Sequence, residues 1–344
     1  MTNQPTPSGT NSSLNPSPNL SPSLSPNLSL SPNLNPDLNP NSKPNSKPNP
    51  SLCLCLITRD EEQSLPVCLA GVRELVAEIV VVDTGSRDET VEIAAAAGAR
   101  VFRFPWNGDF SSARNYALAQ VRSDWVLVLD ADERLQAVEP KTLRDLLEDG
   151  QVDGYYLEIQ NRLAPGLVSR DRVVRLFRNK PCYRFRGAIH EQITPSILEY
   201  GGKERLACAP FVLLHEGYTP ERIKARRKSD RNIEILEREL RSKPDDPFLL
   251  YCLGLERYQN NQVREGLAHL ENALVRMPGG EGYLEDAVLY TAFGYFYLGC
   301  REKLESFIAR ALLMFPEHPE LLLLRNLSLL HPGGDRPPGE PPAS

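Results

Sequence analysis

From residue 52 onward the chain alternates two hydrophobic patterns. Continuous apolar runs at 52–57 and 79–82 have the form of strands buried on both faces of a parallel sheet, and 101–104 and 125–129 read as a third and a fourth strand. Segments with helical spacing separate them. The first covers about 61–75; the second runs from Ser86 to Ala97 and stops before Gly98; the third starts at Asp109 or Ser111. Ser86 and Glu89 fit a capping box, in which Ser86 is the N-cap. The order βαβαβαβ predicts an α/β fold with helices on both faces of the sheet. Partly alternating runs at 155–159, 173–177 and 183–185, and a last apolar run at 211–214, predict further strands.

The pattern changes at both ends. After residue 219 it takes a helical period with no β-rich runs. Gly254, Gly266, Leu270, Ala273 and Pro278 stand 12, 4, 3 and 5 residues apart, the small-residue, packing and terminal-proline positions of a tetratricopeptide unit of about 34 residues. Ala311 and Pro316 repeat the last spacing. Such helix pairs leave a concave face that could hold an acceptor or a protein partner. A basic stretch, Arg222, Lys224, Arg226, Arg227, Lys228 and Arg231, opens this region. It is either a solvated helix face or a contact for donor phosphates, an anionic acceptor or lipid. Residues 1–50 hold twelve of the 30 prolines and too few apolar side chains to offset ordering, which predicts a disordered tail. The closing 333–344 is expected to be disordered as well. The expected organisation is therefore a tail at 1–50, a catalytic domain at 51–218, a helical domain at 219–332 and a second tail.

Composition narrows the class. The 344 residues carry a net charge of −6, which argues against a nucleic-acid binder. No apolar window is long enough for a transmembrane helix, and the first segment lacks the basic and apolar regions of a secretory signal. The seven cysteines are odd in number with no C-x-x-C pair, so buried reduced thiols are expected rather than zinc, in a reducing cytoplasm with at most peripheral contact at the inner face of the membrane.

The candidate chemistry lies at strand ends, where ligands of open α/β sheets bind. Asp60, Asp83, Asp130 and Asp132 all fall there. Each alone is common turn chemistry. Asp130 and Asp132, two residues apart after a buried strand, would repel one another unless a hard divalent cation joined them. A dinucleotide fingerprint and a P-loop are both missing. The first loop, Thr58-Arg59-Asp60-Glu61-Glu62, has no glycine, which weakens a nucleotidyl-transfer reading.

Four segments, SLCLCLITRDEEQSLPVCL, EIVVVDTGSRDETVEIA, FPWNGDFSSARNYAL and DWVLVLDADERL, resemble glycosyltransferase family 2 in order and spacing. The likeness is to a bacterial branch that joins a GT-A, Rossmann-like domain, which implies a mixed sheet, to tetratricopeptide-like helices. It implies an inverting transfer from a nucleotide-diphosphate-sugar, a UDP-sugar above all, with Mg²⁺ or Mn²⁺ as cofactor. Asp83 matches the aspartate that holds uracil or ribose; Asp130 and Asp132 match the metal and diphosphate motif; Arg114, with Asn115 beside it, matches a basic residue near the donor. Arg59 and Asp60 stand where the family has Lys-Asn, so Asp60 replaces a neutral amide in the donor loop. Glu191 matches the acceptor-side acid, the base that an inverting transfer requires, with His190 as the second candidate. Surface pairing of Glu191 with Arg184 or Arg186 is the competing reading. His215, at the end of the last strand, is either structural or a further metal ligand. The acceptor remains open among a glycan, a lipopolysaccharide core or other lipid-linked sugar, and a peptide. The competing function is a non-catalytic helical-repeat scaffold with a degenerate sugar-nucleotide domain.

Overall fold

The computed structural model describes residues 50–164, 167–215, 222–279 and 282–330. The expectations for 1–49, 216–218 and 333–344 lie outside these residues, as do those for the side chains of 222–228.

The first four strands form as their apolar runs predict. They are β1 (Leu52–Thr58), β2 (Glu78–Asp83), β3 (Arg100–Arg103) and β4 (Trp125–Val128), paired in parallel with β1 between β2 and β4. Leu52, Leu54 and Leu56 enter one apolar cluster and Cys53 and Cys55 the other. Both faces of β1 are thus core, and each buried leucine contributes about 1.5–3 kcal/mol. Helices α1 (Leu65–Ala70), α2 (Thr90–Ala96) and α3 (Phe110–Leu118) connect these strands. The chain continues through β5 (Glu133–Leu135), α4 (Pro140–Glu148), β6 (Gly154–Ala164), β7 (Leu167–Arg178), α5 (Thr194–Gly201) and β8 (Leu206–His215). The eight strands lie in the order β3-β2-β1-β4-β7-β6-β8-β5. Antiparallel pairs β4–β7, β6–β7 and β5–β8 make the sheet mixed, as expected.

Three local expectations are corrected. Helix α1 is shorter than 61–75: Pro66 in its first turn fixes its start, and the preceding residues are committed to a loop contact described below. The capping box is not formed, because α2 begins at Thr90, where Asp88 Oδ1 accepts from both its N–H and its hydroxyl. Residues 183–185 are a loop rather than a strand. Asn115 takes over the role of a neighbouring strand, donating to the Phe185 carbonyl at 2.9 Å and accepting the Phe185 N–H at 2.8 Å.

Cys53, Cys55, Cys68 and Cys252 are free and buried as expected, whereas Cys208 is exposed. Burial pushes the Cys55 thiol up to about 12, so it packs as an apolar group.

Six helices follow: α6 (Arg222–Ser242), α7 (Pro247–Gln259), α8 (Val263–Arg276), α9 (Leu284–Tyr297), α10 (Arg301–Met314) and α11 (Pro319–Leu330). The spacing between Gly254 and Leu270 has a structural counterpart. A Cβ on Gly254 would lie 2.7 Å from Leu270 Cγ and 3.0 Å from the Gly266 carbonyl oxygen, so only glycine lets α7 and α8 approach this closely. No helix among the described residues is long and apolar enough to cross a membrane.

Candidate active site

The parallel strands end on one rim, with Thr58 and Asp83 side by side in register. Asp83 is 4% exposed. Its carboxylate accepts the N–H groups of Gly85 and Ser86, each at 3.1 Å. Gly85 adopts a φ of +113° in this turn, a region that penalises a Cβ. Asp60, at φ +55°, donates its N–H to Ser86 Oγ at 3.0 Å and accepts the Arg87 N–H at 2.8 Å. Glu61 N–H donates to Thr90 Oγ1 at 2.7 Å and Glu62 N–H to Asp88 Oδ2 at 3.1 Å. The loops after β1 and β2 are laced together. Arg59 stands half exposed above them, 3.9 Å from Asp60.

The centre of the rim is built differently. Arg114 on α3 is 4% exposed. It pairs with Asp130 Oδ1, holds Glu191 Oε1 through Nε at 3.0 Å, and donates to the Leu129 carbonyl at 3.4 Å. Arg175 on β7 takes the other Asp130 oxygen at 3.1 Å and Glu133 Oε1 at 2.7 Å. Glu133 Oε2 accepts the Asp130 N–H at 2.9 Å. Two guanidiniums are thus interleaved with three carboxylates. Burial works against ionised Asp130, and Arg114 and Arg175 outweigh it, holding the carboxyl well below its usual range. Burial pushes Glu133 up to about 7, with Arg175 opposing and Asp130 adding to the rise. Burial also works against charge on Arg114, but Asp130 and Glu191 keep it firmly protonated. Asp130 still exposes 41% of its side chain, so the centre is open to a ligand.

Asp132 and His215 meet beside this network, Oδ2 to Nε2 at 3.3 Å. Register brings His215 on β8 between Glu133 on β5 and Asn161 on β6. Asn161 donates its amide to Asp171 at 2.7 Å, which leaves its oxygen to accept His215 Nδ1–H at 2.8 Å. A neutral ring therefore turns the Nε2 lone pair toward the carboxylate. A proton or a divalent cation relieves that contact. Burial lowers the His215 pKa, but Asp132 outweighs burial and raises it overall. A carboxylate beside an imidazole whose far nitrogen is oriented is a fitting donor set for Mn²⁺ or Mg²⁺. Among the described residues no group of three or more His, Cys, Asp or Glu side chains could hold a metal ion. Hard cations at phosphate-transfer sites commonly complete their shells with ligand phosphates and water.

The pairing of Glu191 with Arg184 or Arg186 is not the one observed. Arg186 pairs with Glu199 and Arg184 donates to the Tyr183 carbonyl at 2.8 Å, while Glu191 turns inward to Arg114. His190 adopts φ +54° and packs edge-on against Phe248 of α7, ring centroids 6.2 Å apart. Its buried Nε2 has no hydrogen-bond partner, and burial lowers its pKa to about 4. The structure thus brings Arg114, Asp130, Asp132, Glu191 and His215 together. Asp83, Arg59 and Asp60 lie on the adjoining loops, and His190 faces the helices.

Residues 53–199 match the family described as Glycosyl transferase family 2. The chain carries a family 2 glycosyltransferase domain. It is 37% identical over 241 residues to the TPR repeat-containing protein Synpcc7942_0270 of Synechococcus elongatus, covering 69% of this chain and 58% of that protein. It is 27% identical over 237 residues to the SPbeta prophage-derived glycosyltransferase SunS of Bacillus subtilis, covering 65% of this chain and 53% of that one. The chain therefore spans little more than half the length of these relatives. Among solved structures, mannosyl-3-phosphoglycerate synthase from Rubrobacter xylanophilus is similar at a TM-score of 0.39 and 18% identity, over 57% of this chain and 75% of that one. A likeness at that level bears on neither donor nor acceptor.

Three residues of the candidate site have no counterpart in the reading of the sequence. Arg175 stands as a lone charge inside the apolar run VVRLF, a signal that it pairs across the sheet. Glu133 follows the Asp-x-Asp pair directly. Asn161 has no local signature, since its contact with His215 arises from the β6–β8 register.

Proposed function

We propose that this chain is a metal-dependent, inverting glycosyltransferase that uses a nucleotide-diphosphate-sugar, a UDP-sugar first among them. The observation that carries the reading is Arg114, buried at the carboxyl ends of the parallel strands and joined at once to Asp130 and Glu191. It links the donor side of the rim to the acceptor side. In this reading Arg114 and Arg175 serve the donor's diphosphate, since guanidiniums bind phosphate as well as carboxylate. Asp83 and the Arg59-Asp60 loop border the nucleoside. Asp132 and His215, with donor phosphate and water completing the shell, would hold Mg²⁺ or Mn²⁺, which offsets the charge of the departing diphosphate; Asp130, read from the sequence as a further ligand, is instead taken up by the two arginines.

Glu191 accepts the proton of an acceptor hydroxyl. The oxygen forms its bond to the anomeric carbon as the bond from that carbon to the diphosphate breaks on the opposite face, which inverts the centre. The bond to Arg114 Nε fixes the Glu191 carboxylate for this task. His190, held neutral by burial and turned to Phe248, serves the loop's anchorage and is the less suited base. The proposed organisation is a catalytic domain at 51–218 and a tetratricopeptide-like domain at 219–332, acting at the cytoplasmic side on a glycan, lipid-linked sugar or peptide. The helical domain is also available to a protein partner.

A scaffold reading has one observation in its favour: both oxygens of Asp130 are engaged by arginines. Titration with UDP, with and without Mn²⁺, separates the two. A glycosyltransferase binds UDP more tightly when the metal is present, and a panel of sugar nucleotides then shows acceptor-dependent nucleotide release. Metal-independent or undetectable UDP binding would sink the enzymatic reading.

A further inference from the structure

The basic helix α6 contributes to a cleft outside the carboxylate rim. The cleft, about 400 Å³, lies between the loop carrying Trp106 and Gly108 and the face of α6 that bears Arg231, Arg238 and Arg241. That volume falls within the roughly 300–1,000 Å³ common for small-molecule sites. Positions 231, 238 and 241 recur at helical spacing, so their guanidiniums share one wall. Two carboxylates, Glu234 and Glu237, also line the cleft, but Glu237 is committed to Arg257 of α7. Arg238 is in turn paired with Glu239 at 3.7 Å, so Arg231 and Arg241 supply the wall's positive charge against Glu234.

The cleft is preformed and tied to the catalytic loop. Arg238 donates to the Gly108 carbonyl at 2.5 Å. Gly108 adopts φ +77°, a turn conformation that a side chain would strain. Arg231 lies over the Phe110 ring at 5.0 Å, and Phe110 packs on Trp106 with ring centroids 4.7 Å apart. The Phe110 N–H donates to the Ala188 carbonyl at 2.8 Å, three residues before Glu191. Burial lowers the Arg231 pKa, with Glu256 opposing, Arg59 adding to the fall and Glu191 opposing it.

We infer that this cleft is the acceptor subsite and that it takes a saccharide bearing an anionic group, phosphate or carboxylate. The indole of Trp106 offers a flat apolar surface to a sugar ring, and the guanidiniums take the anion. The inference rests on the glycosyltransferase reading for the word acceptor, but its binding test does not.

The full chain is titrated with glucose, glucuronic acid and glucose 6-phosphate while the two tryptophan indole N–H signals are followed by NMR. Trp125 is buried, with its indole N–H donated to the Leu147 carbonyl at 3.0 Å, and serves as the internal reference. The anionic sugars are expected to move the Trp106 signal at least tenfold more tightly than glucose, with Trp125 unmoved. Arg241→Gln, at the exposed end of α6, should weaken that binding several-fold with UDP binding in the presence of Mn²⁺ unchanged, and Arg231→Gln with Arg241→Gln should weaken the sugar binding further. Tighter binding of glucose 6-phosphate identifies the anion as phosphate; tighter binding of glucuronic acid identifies it as carboxylate. Equal response to all three sugars, a silent Trp106, or indifference to both arginine variants overturns the inference. Loss of UDP binding in the unsubstituted chain would instead overturn the enzymatic reading and leave the cleft to be judged on Trp106 alone.

Discussion

Asp60 and Asp83 stand at the ends of β1 and β2 much as Asp130 and Asp132 stand past β4, yet the two pairs are held by different chemistry. The first pair accepts backbone N–H groups of the Gly85-Ser86-Arg87 turn, so its charge is spent on shaping loops. At the second, Asp130 is met by two buried guanidiniums and Asp132 by an imidazole. Backbone donors cannot leave, whereas side-chain cations are exchangeable partners for a phosphate or a metal. The same residue type at equivalent strand ends thus meets fixed backbone donors in one place and side-chain cations in the other.

The largest test of that contrast is Arg114→Met. It keeps the side chain's volume but leaves Glu191 and part of Asp130 uncompensated, so we expect a loss of about 3 kcal/mol in urea denaturation, along with all transfer activity. A variant as stable as the parent would show that the charges are not interdependent. Next, Asp132→Asn should lower nucleotide release by about 100-fold or more while the urea midpoint stays near that of the parent. A matching fall in stability would make Asp132 another architectural carboxylate.

His190 provides a smaller effect with a defined sign. Its folded pKa, about 4, lies below its ordinary 6.5, so the unfolded chain binds the extra proton first. Stability from this residue is present above the ordinary value and is lost as pH falls through the window from 6.5 toward 4. His190→Phe should flatten the dependence of the urea midpoint on pH across that window, and an unaltered slope would remove His190 from the account. The smallest effect belongs to Asp60→Asn. Asn tolerates the left-handed backbone and its oxygen can still accept the Arg87 N–H, so stability should change by less than about 0.5 kcal/mol. A substantial loss would mean that the charge, and not the acceptor atom, matters in the loop.

The sequence revealed most where burial is two-sided. Strands β1, β2 and β4 are continuous apolar runs because both faces meet core, and the aspartates stand at or just past their ends. Tyr183 and Phe185 alternate with Arg184 as a strand would, yet the side chain of Asn115, distant in sequence, supplies their backbone partners. Helix α1 was overread because Glu61 and Glu62 spend their N–H groups on the next loop. Asp130, Asp132, Glu191 and Arg114 of the candidate site were legible from the chain; Glu133, Arg175 and Asn161 were not. Arg175 and Asn161 reach Asp130 and His215 only through antiparallel and parallel pairings that no local pattern encodes.

The clustering of Ala188 and Ile189 with Ile233 and Leu236 of α6 and with Leu249 and Leu250 of α7 has a practical meaning for recombination. The segment that bears Glu191 is roofed by the first two helices of the C-terminal array. A chimera that joins this catalytic half to a foreign solenoid should keep α6 and α7 and make its junction in the turn after Gln259. Cutting where strands give way to helices would strip the apolar roof from the loop on which the proposed base depends.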